Sequence, residues 1–180
     1  MTRVGTVYKV QPQPWEEADT RWVEAGPVRF GVEWRDVDPA ALLATYGEGT
    51  ADMAEIIERS PEGGFYDRGV SIHVCATDGG HEFLRFDVFD DDPHYHYVDT
   101  SGEANRVVAF DSVADGDMLP WVLDRLRTRL ARMLEGADAA ELSAQVATTD
   151  QSQLGAAVDT VEQLATAART AGASTAEAPT

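Results

Sequence analysis

Alternation of apolar and polar residues predicts a β-sheet through the middle of the chain. Period-two patterns predict strands at residues 28–35, 69–76, 81–89, 94–99 and 106–111. The apolar positions expected to face the core are Val70, Ile72, Val74, Leu84, Phe86 and Val88. The fold class predicted from these patterns is α+β, with an antiparallel sheet of about five strands and helices packed on one face.

Three segments carry the signals of helices that would cover this sheet. Asp38-Pro39 reads as an N-cap and first helical position, followed by a short helix that Gly47 ends. Thr50 is expected to cap a second helix, which ends before Pro61. The longest helix is predicted at residues 117–135, where one apolar stripe recurs at helical spacing, and it would be the main cover of the core.

The first hairpin loop decides which residues of two central strands face each other. A three-residue loop, Asp78–Gly80, with a glycine in the bulge position pairs Val74 with Leu84 and His73 with Arg85. A two-residue turn would mix the two faces, so we favour the three-residue loop. The next loop is expected to span Asp90 to Pro93. It predicts the cross-strand pairs Phe89–His94, Asp87–His96 and Arg85–Val98.

These registers place polar side chains together on the face opposite the core. The predicted cluster consists of His73, Arg85, Asp87, His94 and His96. A slip of one residue in the second hairpin would replace its last two members by Tyr95 and Tyr97, which we therefore keep as alternative residues of the polar face.

The spacing His94-x-His96 favours a metal site as one interpretation of this cluster. Two imidazoles on one strand face lie about 6.6 Å apart along the chain, with Asp87 as a third ligand and His73 as a fourth. Zinc or non-haem iron would suit such a set, although the cation Arg85 disfavours a second cation beside it. The alternatives are a metal-free site for a small molecule or proton transfer, and a purely structural face on which His96 pairs with Asp87.

Composition disfavours some classes of binding partner and indicates the cellular compartment. The net charge of −18, from 14 basic and 32 acidic residues, disfavours nucleic acid and anionic membranes as partners. The single cysteine, Cys75, cannot form an intramolecular disulfide, and the N-terminal residues contain no apolar run typical of a signal peptide. We therefore expect a cytoplasmic protein.

The composition changes after Gly136. Residues 137–180 are rich in alanine and threonine, acidic and without an aromatic residue. Such a segment lacks the apolar surface for a core of its own. We therefore predict a single domain over residues 1–136 and a mostly disordered tail, with at most a short helix near residues 152–168.

The motifs GVSIHV, LRFDVF and PHYHY, at Gly69–Val74, Leu84–Phe89 and Pro93–Tyr97, follow one another in a fixed order. This order resembles that of a family of small uncharacterised bacterial proteins, a domain of unknown function. The resemblance covers roughly Val28 to Glu135 and omits the tail. It implies a common fold and no activity.

Two function classes follow. The first is a small acidic accessory or binding protein that serves a larger enzyme or binds a small molecule. The sequence contains no complete catalytic signature, which supports this class. The second is a metal-dependent enzyme or metal-binding protein that uses the histidine cluster. A pocket lined by the cluster would favour the second class, whereas a flat exposed patch would favour the first. From sequence alone we place the accessory class first.

Overall fold

The computed structural model describes residues 4–100 and 105–176, and its centre is one antiparallel sheet. The strands are β1 (Thr6–Tyr8), β2 (Arg21–Ala25), β3 (Val28–Val37), β4 (Asp67–Ala76), β5 (Glu82–Phe89), β6 (His94–Val98) and β7 (Asn105–Ala109). Their spatial order is β1-β7-β6-β5-β4-β3-β2. From β2 to β7 each strand pairs with the next one in the chain, and β1 pairs with β7 at the far edge.

The five predicted strands are all present, and β1 and β2 extend the described sheet to seven strands. The estimate of about five was low because both added strands are short edge strands. Val23 of β2 faces Phe30, and Thr6 of β1 faces Val107. A short segment with few alternations gives a weak period-two signal, and cross-strand pairing then decides whether it becomes a strand.

The helices divide between the two faces of the sheet. They are α1 (Pro39–Tyr46), α2 (Ala51–Arg59), α3 (Ser112–Asp115), α4 (Met118–Thr128), α5 (Leu130–Gly136), α6 (Ala140–Ala147) and α7 (Gln151–Ala176). Residues of α4 to α7 share the main core with the six predicted apolar positions, all of which are at most 3 % exposed. The predicted helix 117–135 is broken at Arg129, whose φ of −130° ends α4.

The prediction that helices cover one face only was wrong. α1 and α2 lie over the opposite face. Leu42 of α1 and Met53 of α2 form a second apolar cluster with Val37 and Phe89. The predicted caps of these helices are present: Asp38 Oδ1 accepts from the backbone N–H of Ala41 at 2.7 Å, and Thr50 Oγ1 accepts from that of Met53 at 3.1 Å. These two helices form a wall above the polar face.

The predicted disordered tail is instead largely helical, and residues 177–180 of it lie outside the described residues. The apolar stripe of α7 is buried in the same core as the sheet, which places part of the predicted tail with the domain rather than outside it. Its members are Leu154, Val158, Val161 and Ala165. The helix is too weakly amphipathic to be stable alone, but the apolar surface of β2 to β4 supplies the burial that composition did not reveal.

The two hairpin predictions have different outcomes. Val74 faces Leu84 and His73 faces Arg85, as predicted. The loop itself differs from the prediction, because Cys75 faces Glu82 and Ala76 N–H donates to the carbonyl oxygen of His81, so that four residues, 77–80, close the hairpin. In the second hairpin Asp87 faces His94 and Arg85 faces His96, so the predicted pairs were wrong by two residues. Because side chains alternate with period two, a shift of two keeps every residue on its predicted face.

The described helices include none with the length and apolar character needed to cross a membrane.

Candidate metal site

Four of the five residues of the predicted cluster, Arg85, Asp87, His94 and His96, line the floor of a cavity of about 520 Å³. α1, α2 and the N-terminal segment 8–13 form the opposite wall, and Asp87, His94 and His96 line the floor. The site is therefore a recess within the fold rather than a flat patch, and its volume is typical of a small-molecule pocket.

Three predicted ligands converge within this cavity. Asp87 Oδ2 lies 3.0 Å from Nε2 of His96 and 3.4 Å from Nε2 of His94. The two imidazole rings are 4.9 Å apart, and one ligand atom from each of the three residues lies within 4.8 Å of the others. We call Asp87, His94 and His96 the convergent triad.

The far side of each triad imidazole is held by an oxygen acceptor. His94 Nδ1 lies 2.6 Å from the carbonyl oxygen of Asp92, which can only accept, so this nitrogen donates. His96 Nδ1 lies 2.9 Å from Oδ1 of Asn105, and the amide group of Asn105 donates to the carbonyl oxygen of Val10, which fixes its orientation. Both histidines therefore carry a proton on Nδ1 and direct Nε2 toward Asp87.

The carboxylate of the triad is also held from behind. Ser71 Oγ donates to Oδ1 of Asp87, which leaves Oδ2 for the two histidines. Burial alone would raise the pKa of Asp87, but the hydrogen bond from His96, which forms when its Nε2 carries a proton, and the charge of Arg85 outweigh it and hold this pKa well below its usual range. Asp87 is therefore an anion.

Burial lowers the pKa of His96, whereas an ion pair with Asp87 would raise it. The effect of burial on this pKa is the larger, and the hydrogen bond and charge of Asp87 offset it only in part. The neutral imidazole, whose Nε2 carries a lone pair, is thus favoured at neutral pH. A neutral imidazole is the form that binds a metal ion.

Arg85, the cation that argued against a metal, is neutralised by a partner that the sequence analysis missed. Its guanidinium makes two hydrogen bonds to Glu82, of 3.0 Å and 2.8 Å. Glu82 reaches the polar face because the β4–β5 ladder shifts register between Val74 and Cys75, so that Cys75 faces Glu82. The residue left unpaired at this shift is Phe83 rather than a glycine, so the predicted glycine bulge did not indicate it.

His73 does not join the convergent triad, in contrast to its predicted role as a fourth ligand. Its Nε2 lies 3.0 Å from Glu33 Oε1, and its Nδ1 lies 2.5 Å from Glu82 Oε1. Burial lowers the pKa of His73, but the charge of Glu82 and the hydrogen bonds to both carboxylates outweigh it and raise the pKa. We call Glu33, His73 and Glu82 the His73 cluster; both imidazole nitrogens there are already paired.

Tyr95 and Tyr97 lie on the face covered by α4 to α7, so their assignment to the polar face was wrong. Tyr95 packs on Phe86 and Trp121, with ring centroids 5.9 Å and 5.3 Å away. Burial raises the pKa of Tyr95 to about 12, which keeps its hydroxyl neutral. The two-residue shift of the second hairpin keeps the histidines rather than the tyrosines on the polar face.

Other functional residues carried little sequence signal. Ser71 alternates with the apolar positions of β4, so its face was foreseeable but its partner was not. Asn105 and Arg35 come from distant parts of the chain, and no spacing rule connects them to the triad.

Comparison with known proteins places the chain in a family. A family model described as a domain of unknown function, DUF7700, matches residues 22–165. The chain belongs to this family. The match runs well past the region of the resemblance noted from sequence and includes α6 and much of α7. No curated protein and no solved structure matches the chain.

Proposed function

We propose that the convergent triad binds one divalent transition metal, zinc or iron(II), and that the protein is a metal-dependent enzyme acting on a small molecule. The observation that carries the proposal is the direction of the two histidines. Both Nδ1 atoms donate to oxygens outside the triad, and both Nε2 atoms converge on one oxygen of Asp87. Such outer hydrogen bonds are the usual way in which proteins orient histidine ligands.

A metal ion resolves an electrostatic conflict that the protein alone leaves in place. If both histidines are neutral, two Nε2 lone pairs face the anionic Oδ2 of Asp87 at 3.0 Å and 3.4 Å. If both are protonated, two cations with ring centroids 4.9 Å apart share one carboxylate in a largely buried site. If only one is protonated, its Nε2 donates to Oδ2 and the lone pair of the other Nε2 still faces the anion. A divalent cation between the three atoms converts this repulsion into three favourable bonds.

The ligand set also supports a reactive rather than a structural metal. Structural zinc is normally closed by four protein ligands, whereas catalytic zinc and non-haem iron sites leave positions for water or substrate. The convergent triad supplies three ligands and lines the 520 Å³ cavity. A metal held there would polarise a substrate oxygen or lower the pKa of a bound water.

The cavity favours this enzyme proposal over the accessory class, by the criterion stated from the sequence. A flat exposed patch was the expected mark of an accessory protein, and the predicted residues instead line a recess. The accessory role and the cytoplasmic location remain predictions.

Metal content of the purified protein tests the proposal. We expect about one zinc or iron per chain in the parent and in His81→Ala, and little in His96→Ala, whose circular dichroism should match the parent. His81 is a suitable control because its ring makes an edge-to-face contact with Phe83 and is not part of the triad. Cobalt(II) added to the metal-depleted parent should give a visible absorption band that His96→Ala lacks.

The opposite result is equally clear. A parent purified without metal, taking up no zinc, iron(II) or cobalt(II) and melting identically with metal and with chelator, would overturn the metal proposal. The triad would then be a metal-free polar site.

A further inference from the structure

The cavity above the convergent triad has a polar end and an apolar end. Asp87, His94 and Arg35 line the polar end, and a group of apolar side chains from β3, β5, α1, α2 and the following loop lines the rest. The apolar group consists of Val37, Leu42, Ile56, Phe65 and Phe89. Phe89 connects the two ends, since its ring lies 5.7 Å from that of His94.

Sheet register places Arg35 and Phe89 on either side of Gly69, which has no side chain. Arg35 of β3 faces Gly69 of β4, and Gly69 faces Phe89 of β5. A Cβ at Gly69 would overlap the carbonyl oxygen of Val88, so a side chain is excluded between Arg35 and Phe89. No side chain therefore separates the cation from the aromatic ring in this row of the sheet, one pleat away from Asp87.

Among the arginines that line the cavity, Arg35 has the fewest hydrogen bonds to a carboxylate of its own. Its two polar contacts within the described residues both use Nη1, which lies 3.2 Å from Glu33 Oε1 and 3.2 Å from the carbonyl oxygen of Gln13. Glu33 is shared with His73, while Glu82 pairs with Arg85. Nε and Nη2 of Arg35 are thus available to an anion, although its side chain is only 9 % exposed.

The charge environment of Arg35 supports the same conclusion. Burial and the nearby charge of Arg85 lower the pKa of Arg35, and the neighbouring carboxylates offset this only in part. A metal ion on the convergent triad would add further positive charge, since Asp87 is the only anion among its ligands. Asp67, Asp91 and Asp92 also line the cavity, so recognition of an anion is local to Arg35, whose guanidinium can hold a carboxylate through paired hydrogen bonds.

We propose that the cavity binds a small monocarboxylic acid with an apolar body, its carboxylate on Arg35 and its body against Phe65 and Phe89. The placement of the bound acid beside a metal ion rests on the proposed metal site. The recognition by Arg35 does not, because it involves no metal ligand. The volume of about 520 Å³ suits an acid of this size rather than a polymer.

Calorimetric binding of three probes tests the inference. The probes are 3-phenylpropanoate, hexanoate and the neutral 3-phenylpropanamide, each titrated into metal-loaded and metal-depleted full-length protein whose metal content is measured in parallel. We expect 3-phenylpropanoate to bind about 10-fold to 100-fold more tightly than the amide, because a buried charge-assisted pair contributes that much. The preference should persist without metal.

Substitutions at two arginines that line the same cavity sharpen the test. Arg35→Gln should abolish the preference for the acid, whereas Arg35→Lys should retain part of it. Arg59→Gln is the matched control, because Arg59 is already paired with Glu55 at 3.0 Å and lies over the ring of Tyr8. If Arg35→Gln fails to fold, the comparison of acid and amide on the parent still decides the question.

The outcomes separate this inference from the proposed function. Acid and amide binding equally, neither binding, or Arg59→Gln removing the preference as fully as Arg35→Gln would each overturn the inference. Acid binding that requires metal and ignores Arg35→Gln would also overturn it and leave the metal site standing. An acid preference through Arg35 in a protein that takes up no metal would support the inference and overturn the metal proposal.

Discussion

Two buried histidine–carboxylate clusters share one face of the sheet, and their hydrogen bonds have opposite consequences. In the His73 cluster each imidazole nitrogen faces a carboxylate oxygen, at 3.0 Å and 2.5 Å. In the convergent triad each Nδ1 faces an oxygen outside the triad, and each Nε2 faces the same oxygen of Asp87. The first arrangement stabilises a protonated imidazole, and the second directs two Nε2 atoms at one point.

The contrast shows that residue types alone do not distinguish a structural ion pair from a ligand set. Both clusters consist of histidine and carboxylate, and both are largely buried. What differs is whether a nitrogen lone pair remains for a ligand and whether it faces a cavity. His73 has neither feature, and His94 and His96 have both.

The largest expected effect on stability comes from the His73 cluster. His73→Ala leaves Glu33 and Glu82 buried without the cation between them, so the free energy of unfolding should fall by about 3–5 kcal/mol. Urea denaturation measures this change, and metal binding by the folded fraction should persist. If His73→Ala lost metal and kept its stability, the roles assigned to the two clusters would be reversed.

The corresponding change in the convergent triad should have the opposite profile. His94→Ala removes one ligand, so metal affinity should fall by more than about 100-fold, beyond the usual cost of losing a group that only orients a ligand. The metal-depleted protein should lose only about 0.5–1.5 kcal/mol of stability, because a single hydrogen bond to Asp92 is removed. Competition with a chelator of known affinity measures the first quantity and urea denaturation the second.

Two buried hydroxyls allow a smaller and closely matched comparison. Ser71 donates to Asp87 in the triad, and Thr20 Oγ1 donates to Glu33 at 3.0 Å beside the His73 cluster. Ser71→Ala should weaken metal binding by about 10-fold to 100-fold, because it frees the carboxylate that it orients. Thr20→Val should leave metal affinity unchanged and cost about 1–3 kcal/mol of stability, through the loss of one charge-assisted hydrogen bond to Glu33 Oε2, which still accepts from the backbone N–H of Glu16. Equal effects on metal binding would contradict the separation of the clusters.

The smallest expected effect is a pH dependence of opposite sign in the two clusters. The raised pKa of His73 means that its contribution to stability is fully present below about pH 6.5 and is lost as pH rises through the folded pKa. Metal affinity of the convergent triad should instead weaken as pH falls, because a metal ion competes with protons for imidazole nitrogens. Unfolding of the metal-depleted parent and of His73→Gln, compared above neutral pH, checks the first sign; the variant should show the flatter profile.

Much of the fold followed from local alternation. The core positions on β4 and β5 and the first hairpin register were predictable because a uniformly apolar face allows only one pairing. The second hairpin was missed by two residues, since its acidic loop contains no glycine to specify a tight turn. The triad was nevertheless recognised, because a shift of two leaves His94, His96 and Asp87 on one face.

The helix α7 shows where composition misled. Alanine and threonine predicted a tail without a core, and those residues do lack the large side chains that stabilise a helix by itself. Its small apolar residues pack closely on the sheet, and Val158 and Val161 are fully buried there. The information that α7 is ordered lies in the surface it contacts, not in its own sequence.

The sequence by itself determined the period-two strands, the apolar face and the side of the sheet that carries the histidines, because these depend on residues adjacent in the chain. Only the tertiary structure decided which histidines share a site. Glu33 and Glu82 come from neighbouring strands and hold His73 apart, while Asn105 and Ser71 orient His96 and Asp87. Charges and hydrogen bonds act over a few ångströms in space regardless of separation along the chain. A buried imidazole therefore takes its role from whichever acceptors the fold brings to its two nitrogens.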